Sequence, residues 1–232
     1  MAHNNVLAVI LAAGKQERFG QKSSKMMVRI GNKVAFDYTI SSIKKVLEED
    51  QIVVVTSNLF AEFNQHLRTH YPKLTLIFDP NPGKGTLFSL MHSLPWHNQK
   101  IFVAEGDIYY DSSLVEALTN QSDCTIAITN KTNIAPTHRG VNLDPFTIND
   151  HGVHLNAKVV YRNMGVYLLT ANTEKFWVKN QHTNLIDFIR WLYISNLLAV
   201  KPYLYKGLYL HTADKSDVFF WIKHLAHIQK NE

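Results

Sequence analysis

Residues Val6–Leu11 are apolar without interruption, and Ala12, Ala13 and Gly14 follow directly. A short apolar run with no polar alternation predicts a strand buried on both faces, as in a parallel sheet covered by helices. The small residues that close it let backbone amides come near a ligand. The loop beyond them carries Arg18, Gly20 and then Lys25, and cations there suit an anion.

The chain then alternates. Apolar spacing predicts a helix over 34–47, carried by Phe36, Ile40, Ile43, Val46 and Leu47. A strand over 52–55 and a helix over 59–68 follow, the helix stopped ahead of Tyr71-Pro72. Next come a strand over 74–78, a helix over 86–94, a strand over 101–104, a helix over 112–118 with a serine cap, and a strand over 125–128. Such alternation predicts an α/β fold with a doubly wound, mixed but mainly parallel sheet flanked by helices. Past 129 the pattern changes. Residues 130–145 read as loop and 147–161 as a hairpin turning near His151-Gly152. A strand over 164–169, a helix over 185–198, short strands over 200–205 and 208–210, and a closing helix over 218–228 complete the chain. No linker interrupts it, so 1–232 reads as a single domain in which 130–232 packs on 1–129 and completes a cleft. Ligands in open α/β sheets sit beyond the carboxyl ends of the strands. Three polar loops fall there: 12–25, 79–86 and 105–111.

Composition narrows the classes. With 232 residues, 46% of them hydrophobic, the chain can fill a full core. Its longest apolar runs are far short of a membrane span, and the N-terminus has no signal-peptide pattern. The single Cys124 lies in an apolar run and reads as a core residue. A disulfide framework within the chain is excluded, which fits a reducing cytoplasm. The net charge of +5 favours anionic ligands but is spread out, so no nucleic-acid stripe emerges. None of the 12 histidines pairs at a convincing metal spacing with Cys or acidic ligands. Trp177, Trp191, Tyr193, Tyr203 and Tyr205 read as core rather than as a frame for a choline-like cation.

Two familiar phosphate motifs fail on spacing. A dinucleotide fingerprint needs a second glycine where Gly14 is followed by Lys15-Gln16, and Gly83-Lys84-Gly85-Thr86 has the wrong order for a P-loop. Leu11-Ala12-Ala13-Gly14, Arg18, Phe19-Gly20 and Lys25 instead resemble the signature of GT-A-like nucleotidyltransferases. That class includes sugar-phosphate and alcohol-phosphate nucleotidyltransferases and molybdenum cofactor guanylyltransferase. The resemblance runs over most of the chain in order, with the first motif the sharp one. Gln16 stands where a small residue is usual, and Ser24 where proline usually precedes the lysine.

The resemblance implies a role for each later motif. Asp107 of Glu105-Gly106-Asp107 is the implied Mg²⁺ ligand, a carboxylate at a strand end beside a glycine. Asp111 reads as a helix-start residue. Leu11, Ala12, Ala13, Gly14, Gly85, Thr86 and Ser89 are the implied nucleotide-binding positions. Thr86 also suits a plain helix N-cap, and Lys84 faces either phosphate or water. Asn163-Met164-Gly165-Val166-Tyr167 resembles the strand that lines the acceptor side, which brings in Gly165, and Lys158 on the preceding hairpin reaches for the acceptor phosphate. A bulged core strand is the alternative reading of that segment. In the late acidic stretch His211 stands where aspartate is common. Asp214 is the favoured second metal ligand, with Asp217 as the alternative.

The implied activity joins a nucleoside monophosphate from a triphosphate, CTP by preference, to a phosphorylated alcohol, phosphonate or sugar-1-phosphate. Arg18 and Lys25 serve catalysis by holding the phosphates, and pyrophosphate is released. A part in supplying precursors of cell-surface polysaccharide follows from the same resemblance. The expected partners are the nucleoside triphosphate and the acceptor, with no nucleic acid or membrane; a homodimer stays open. A GT-A glycosyltransferase and a non-catalytic nucleotide-binding module are the rival readings.

Overall fold

The computed structural model describes residues 5–14, 24–93, 99–129, 146–149, 152–155, 162–179, 181–212 and 217–231. In chain order the strands are β1 (Val6–Leu11), β2 (Arg29–Ile30), β3 (Lys33–Val34), β4 (Ile52–Thr56), β5 (Thr75–Phe78), β6 (Lys100–Glu105) and β7 (Ile108–Tyr109). They continue with β8 (Cys124–Thr129), β9 (Phe146–Asn149), β10 (Gly152–Leu155), β11 (Arg162–Leu169), β12 (Val200–Leu204) and β13 (Leu210–His211). The α-helices are α1 (Ala35–Lys44), α2 (Ala61–His70), α3 (Thr86–Met91), α4 (Ser112–Thr119), α5 (Leu185–Ile194) and α6 (Asp217–Asn231).

The main sheet has seven strands in the order β12-β8-β11-β6-β1-β4-β5. Only β11 runs antiparallel to its neighbours, β6 and β8; the other pairings are parallel. The fold is thus mixed and mainly parallel. Alternate residues of β1 enter opposite cores, which is why its sequence shows no polar alternation. Ala8 and Ile10 join Phe36, Ile40, Phe63 and Leu114 on one face. Val9 and Leu11 join Leu87, Leu90, Phe188 and Leu192 on the other. A third apolar cluster seats α6 on the β2–β3 hairpin through Ile30, Tyr38 and Trp221.

From β1 the chain steps to β4 and β5 on one side, then crosses to β6 on the other. The strand order therefore reverses between β1 and β6, the place at the carboxyl ends of the strands where open α/β sheets bind ligands. The parallel register sets Leu11 opposite Glu105.

Several boundaries differ from the sequence reading. Asp111, not a serine, occupies the N-cap of α4. The residue that caps α3 is Gly85, while the Thr86 hydroxyl accepts from Leu185 N at 2.9 Å and so serves α5. α5 ends at Ile194, and Asn196 takes a left-handed φ of 52° just beyond it. The β9–β10 hairpin is antiparallel, and the loop read over 130–145 lies outside the described residues. Cys124, Trp177 and Tyr205 are buried, and no described helix is long and apolar enough to cross a membrane.

Candidate active site

The segment after β6 is held from both sides. Gly106 N donates to Leu11 O at 3.0 Å, tying it to the end of β1. On the helix side, Thr39 Oγ1 of α1 lies 3.1 Å from Gly106 O and 2.5 Å from Ile108 O, and Ser42 Oγ donates to Tyr110 O at 2.5 Å. Gly106 allows close packing. A Cβ there would meet Met26 Sδ at 3.1 Å and the Ala12 and Ile10 side chains at 3.3 Å.

Met26 belongs to a 3-10 turn, Lys25–Met27, that delivers Lys25 to this place. Ser24 caps the turn, its hydroxyl accepting from Met26 N at 3.3 Å. Its φ of −66° is the value proline imposes, so this backbone would accept proline at 24. Lys25 Nζ donates to Asp107 Oδ2 at 2.5 Å.

His211 arrives by a separate route. β13 pairs antiparallel with β7, His211 opposite Ile108 and Leu210 opposite Tyr109. Thr212 N donates to Asp107 O at 2.9 Å, locking the register. His211 Nε2 then lies 3.1 Å from Asp107 Oδ2 and 3.7 Å from Glu105 Oε2.

Glu105 owes its space to β11. The pairing of β11 with β8 shifts between Asn163 and Tyr167, so the bulge read as an alternative is present. Gly165, at φ 70°, lies in it, and a Cβ there would come 2.8 Å from Glu105 Cδ. Glycine meets both the left-handed backbone and the room the carboxylate needs.

Electrostatically the group is a compact alternation of signs. Asp107 is only 1% exposed. Burial works against its charge, but Lys25 and His211 outweigh that cost and hold its carboxyl far below the usual carboxylate range. Burial likewise opposes protonation of His211, and the Asp107 and Glu105 carboxylates overcome it, raising the imidazole above its ordinary value. One ligand atom each from Glu105, Asp107 and His211 lie within 4.8 Å of one another. Two carboxylate oxygens and an imidazole nitrogen form a donor set that fits a divalent cation.

The structure thus brings together Lys25 and Asp107, both singled out in the sequence, with Glu105 and His211, which had no assigned role. The signal for Glu105 was its position two residues before Asp107 at a strand end. For His211 it was a ligand-competent side chain at the place where aspartate was anticipated. Asp217 is buried at the start of α6 and does not enter this group. Arg18, Lys158 and Asp214 lie outside the described residues.

Of the nucleotide-side positions, Ala12 and Ala13 are buried beyond β1, and Ala12 N donates to Val55 O at 2.8 Å. Gly14 is exposed, and a Cβ there would meet nothing within 4 Å. Gly85 and Thr86 interlock with 183–185. At Gly85, with φ 122°, a Cβ would stand 2.4 Å from Thr183 O, which also accepts from Leu87 N and Phe88 N. Ser89 Oγ donates to Asp79 Oδ2 at 2.5 Å, and Asp79 also accepts from Asn81 N at 2.7 Å, bracing the 79–85 loop. Lys84 Nζ lies 4.7 Å from the Phe88 ring centroid, a cation–π contact.

Known proteins agree with this architecture. An inositol-1-phosphate CTP transferase from T. maritima superimposes with a TM-score of 0.76 over 96% of both chains at 14% identity. A UDP-glucose pyrophosphorylase from Acinetobacter baumanii gives a TM-score of 0.73 at 15% identity, covering 95% of this chain and 93% of that one. A putative glucose-1-phosphate thymidylyltransferase from Bacillus anthracis gives 0.72 at 13% identity, covering 94% of each. In sequence, the bifunctional protein GlmU of Francisella tularensis subsp. novicida is 31% identical over 118 residues, 50% of this chain. That stretch is 25% of GlmU, so the match spans about a quarter of the relative's length. The family model described as a MobA-like NTP transferase domain matches residues 8–166, more than half of the chain and inclusive of the β1, Lys25 and Asp107 segments. The chain belongs to the MobA-like NTP transferase domain family, a family of nucleotidyltransferases.

Proposed function

We propose that this nucleotidyltransferase moves a nucleoside monophosphate, from CTP by preference, onto a phosphorylated alcohol, phosphonate or sugar-1-phosphate. The observation that carries the reading is the meeting of Lys25 with the buried Asp107 beside the carboxyl ends of β1 and β6. The Glu105-Gly106-Asp107 form of the acidic motif is what favours CTP, through its resemblance to phosphocholine cytidylyltransferases.

An acceptor phosphate oxygen attacks the α-phosphorus in line. A new P–O bond forms as the bond to the β-phosphate oxygen breaks, and pyrophosphate leaves with that electron pair. The attacking oxygen is ionised near neutral pH, so no general base is needed. What the protein must supply is positioning and charge neutralisation. Lys25 and Arg18 neutralise phosphate oxygens. Backbone from Leu11 to Gly14 and the Gly85–Ser89 stretch hold the nucleotide, while Gly165 and Lys158 face the acceptor. Glu105, Asp107 and His211 are the described residues that would hold a divalent cation, with Asp214 a further ligand. When bound, such an ion, Mg²⁺ in the simplest reading, supplies charge stabilisation on the triphosphate. The two stretches 1–129 and 130–232 work as nucleotide-binding and acceptor-binding parts of one domain.

A matrix of four nucleoside triphosphates against phosphorylated alcohols, phosphonates and sugar-1-phosphates, read by pyrophosphate release, tests this. Stoichiometric pyrophosphate and nucleotide-linked product, highest with CTP, is the expected result. Release from another triphosphate alone would overturn the base preference. No release from any pair would overturn the transfer reading; glycosyl transfer from a nucleotide sugar would then identify the rival enzyme class.

A further inference from the structure

We propose that His211 is a nitrogen ligand of the cation site and tilts that site toward a first-row transition ion, with Mn²⁺ as the representative, over Mg²⁺. This rests on reading Glu105 and Asp107 as cation-holding carboxylates and refines which ion they hold.

Three observations support it. His211 Nε2 is aimed at both carboxylates, 3.1 Å from Asp107 Oδ2 and 3.7 Å from Glu105 Oε2, so one ion can touch all three side chains. The imidazole is placed by backbone, since the β13–β7 register and the bond from Thr212 N to Asp107 O fix where residue 211 stands. Glu105 is given its room by the left-handed Gly165 in the β11 bulge. Donors carried on such fixed backbone meet an ion with little rearrangement.

The chemistry follows from the donor types. Mg²⁺ is small and hard, takes oxygen ligands and keeps most of its water. Imidazole nitrogen suits first-row transition ions, and among these Mn²⁺ shares with Mg²⁺ the preference for carboxylate oxygen, so it is the transition ion matched to a set of two carboxylates and one nitrogen. Two carboxylates with a third oxygen donor would serve Mg²⁺ well. Exchanging one oxygen for His211 nitrogen weakens that fit and improves the other.

The test uses the full chain and Mn²⁺ alone, without nucleotide. Pulsed electron paramagnetic resonance reads ¹⁴N coupling to bound Mn²⁺, and competition by Mg²⁺ reads relative affinity. The expected result is nitrogen coupling in the wild type and its loss in His211→Asp. The Mn²⁺-to-Mg²⁺ affinity ratio should fall at least ~10-fold in that variant, the scale on which ligand type discriminates ions. His211→Asn guards against a folding defect from three crowded carboxylates and should also abolish the coupling. Mn²⁺ bound without nitrogen coupling, or a ratio unchanged in His211→Asp, would overturn the proposal and leave the carboxylate site standing. No binding of either ion to the wild type would overturn both.

Discussion

Asp107 meets an ammonium and an imidazole on a single oxygen, in a place where water barely reaches it. Such a group is costly to bury and is kept ionised only by its partners. Lys25→Ala, Asp107→Ala and Arg18→Ala should each lower turnover at least ~100-fold, the scale of losing one preorganised charge contact. Initial rates of pyrophosphate release check this, with circular dichroism confirming that the variants fold. Gly165→Ala adds a strained φ and a methyl against the Glu105 carboxylate. It should cost roughly 1–3 kcal/mol of stability, seen as a lower urea midpoint; an unchanged midpoint would show that Gly165 is not under steric demand. At this scale the sequence was partly legible. Lys25 and Asp107 stand in recognisable motifs. Glu105 reads as an ordinary strand-end residue until the bulge opposite it is known. His211 gains its meaning from a two-residue strand pairing across about a hundred positions, which leaves no local periodicity to read.

Elements position these residues by interlocking. α3 and α5 meet where Thr86 Oγ1 takes the first N–H of α5 and Thr183 O takes two N–H groups of α3. Orphan helix-end donors are satisfied by the neighbouring segment rather than by their own caps. Thr86→Val should therefore cost about 1 kcal/mol, the usual worth of a lost cap, measurable by denaturant titration. A loss of only a tenth of that would mean water replaces the hydroxyl. In the Lys25 turn, Ser24→Pro should keep turnover near wild type because φ is already −66°. Ser24→Ala, which loses the same acceptor for Met26 N without proline's fixed φ, should slow turnover more than Ser24→Pro; the reverse order in parallel rate measurements would contradict the account of a turn set by its φ. Long apolar strands and amphipathic helices were legible because each repeats its pattern over several turns or pleats. The 3-10 turn at Lys25–Met27, the β2–β3 hairpin and β7 were not, since two or three residues carry no period.

Over the whole molecule, three distant stretches, 24–27, 105–107 and 210–212, meet beyond the carboxyl end of β6, beside the place where the strand order reverses. Continuous apolarity in β1, β4 and β6 announced a parallel sheet with both faces covered, whereas the antiparallel insertion of β11 had to come from tertiary structure. The most direct test of the central claim is pyrophosphate release from CTP and the acceptor panel, compared between wild type and the isosteric Asp107→Asn. Release by the wild type with at least a ~100-fold loss in the variant is predicted, since removing one carboxylate charge disrupts the alternation with Lys25 and His211. Equal rates in the two proteins would contradict the account.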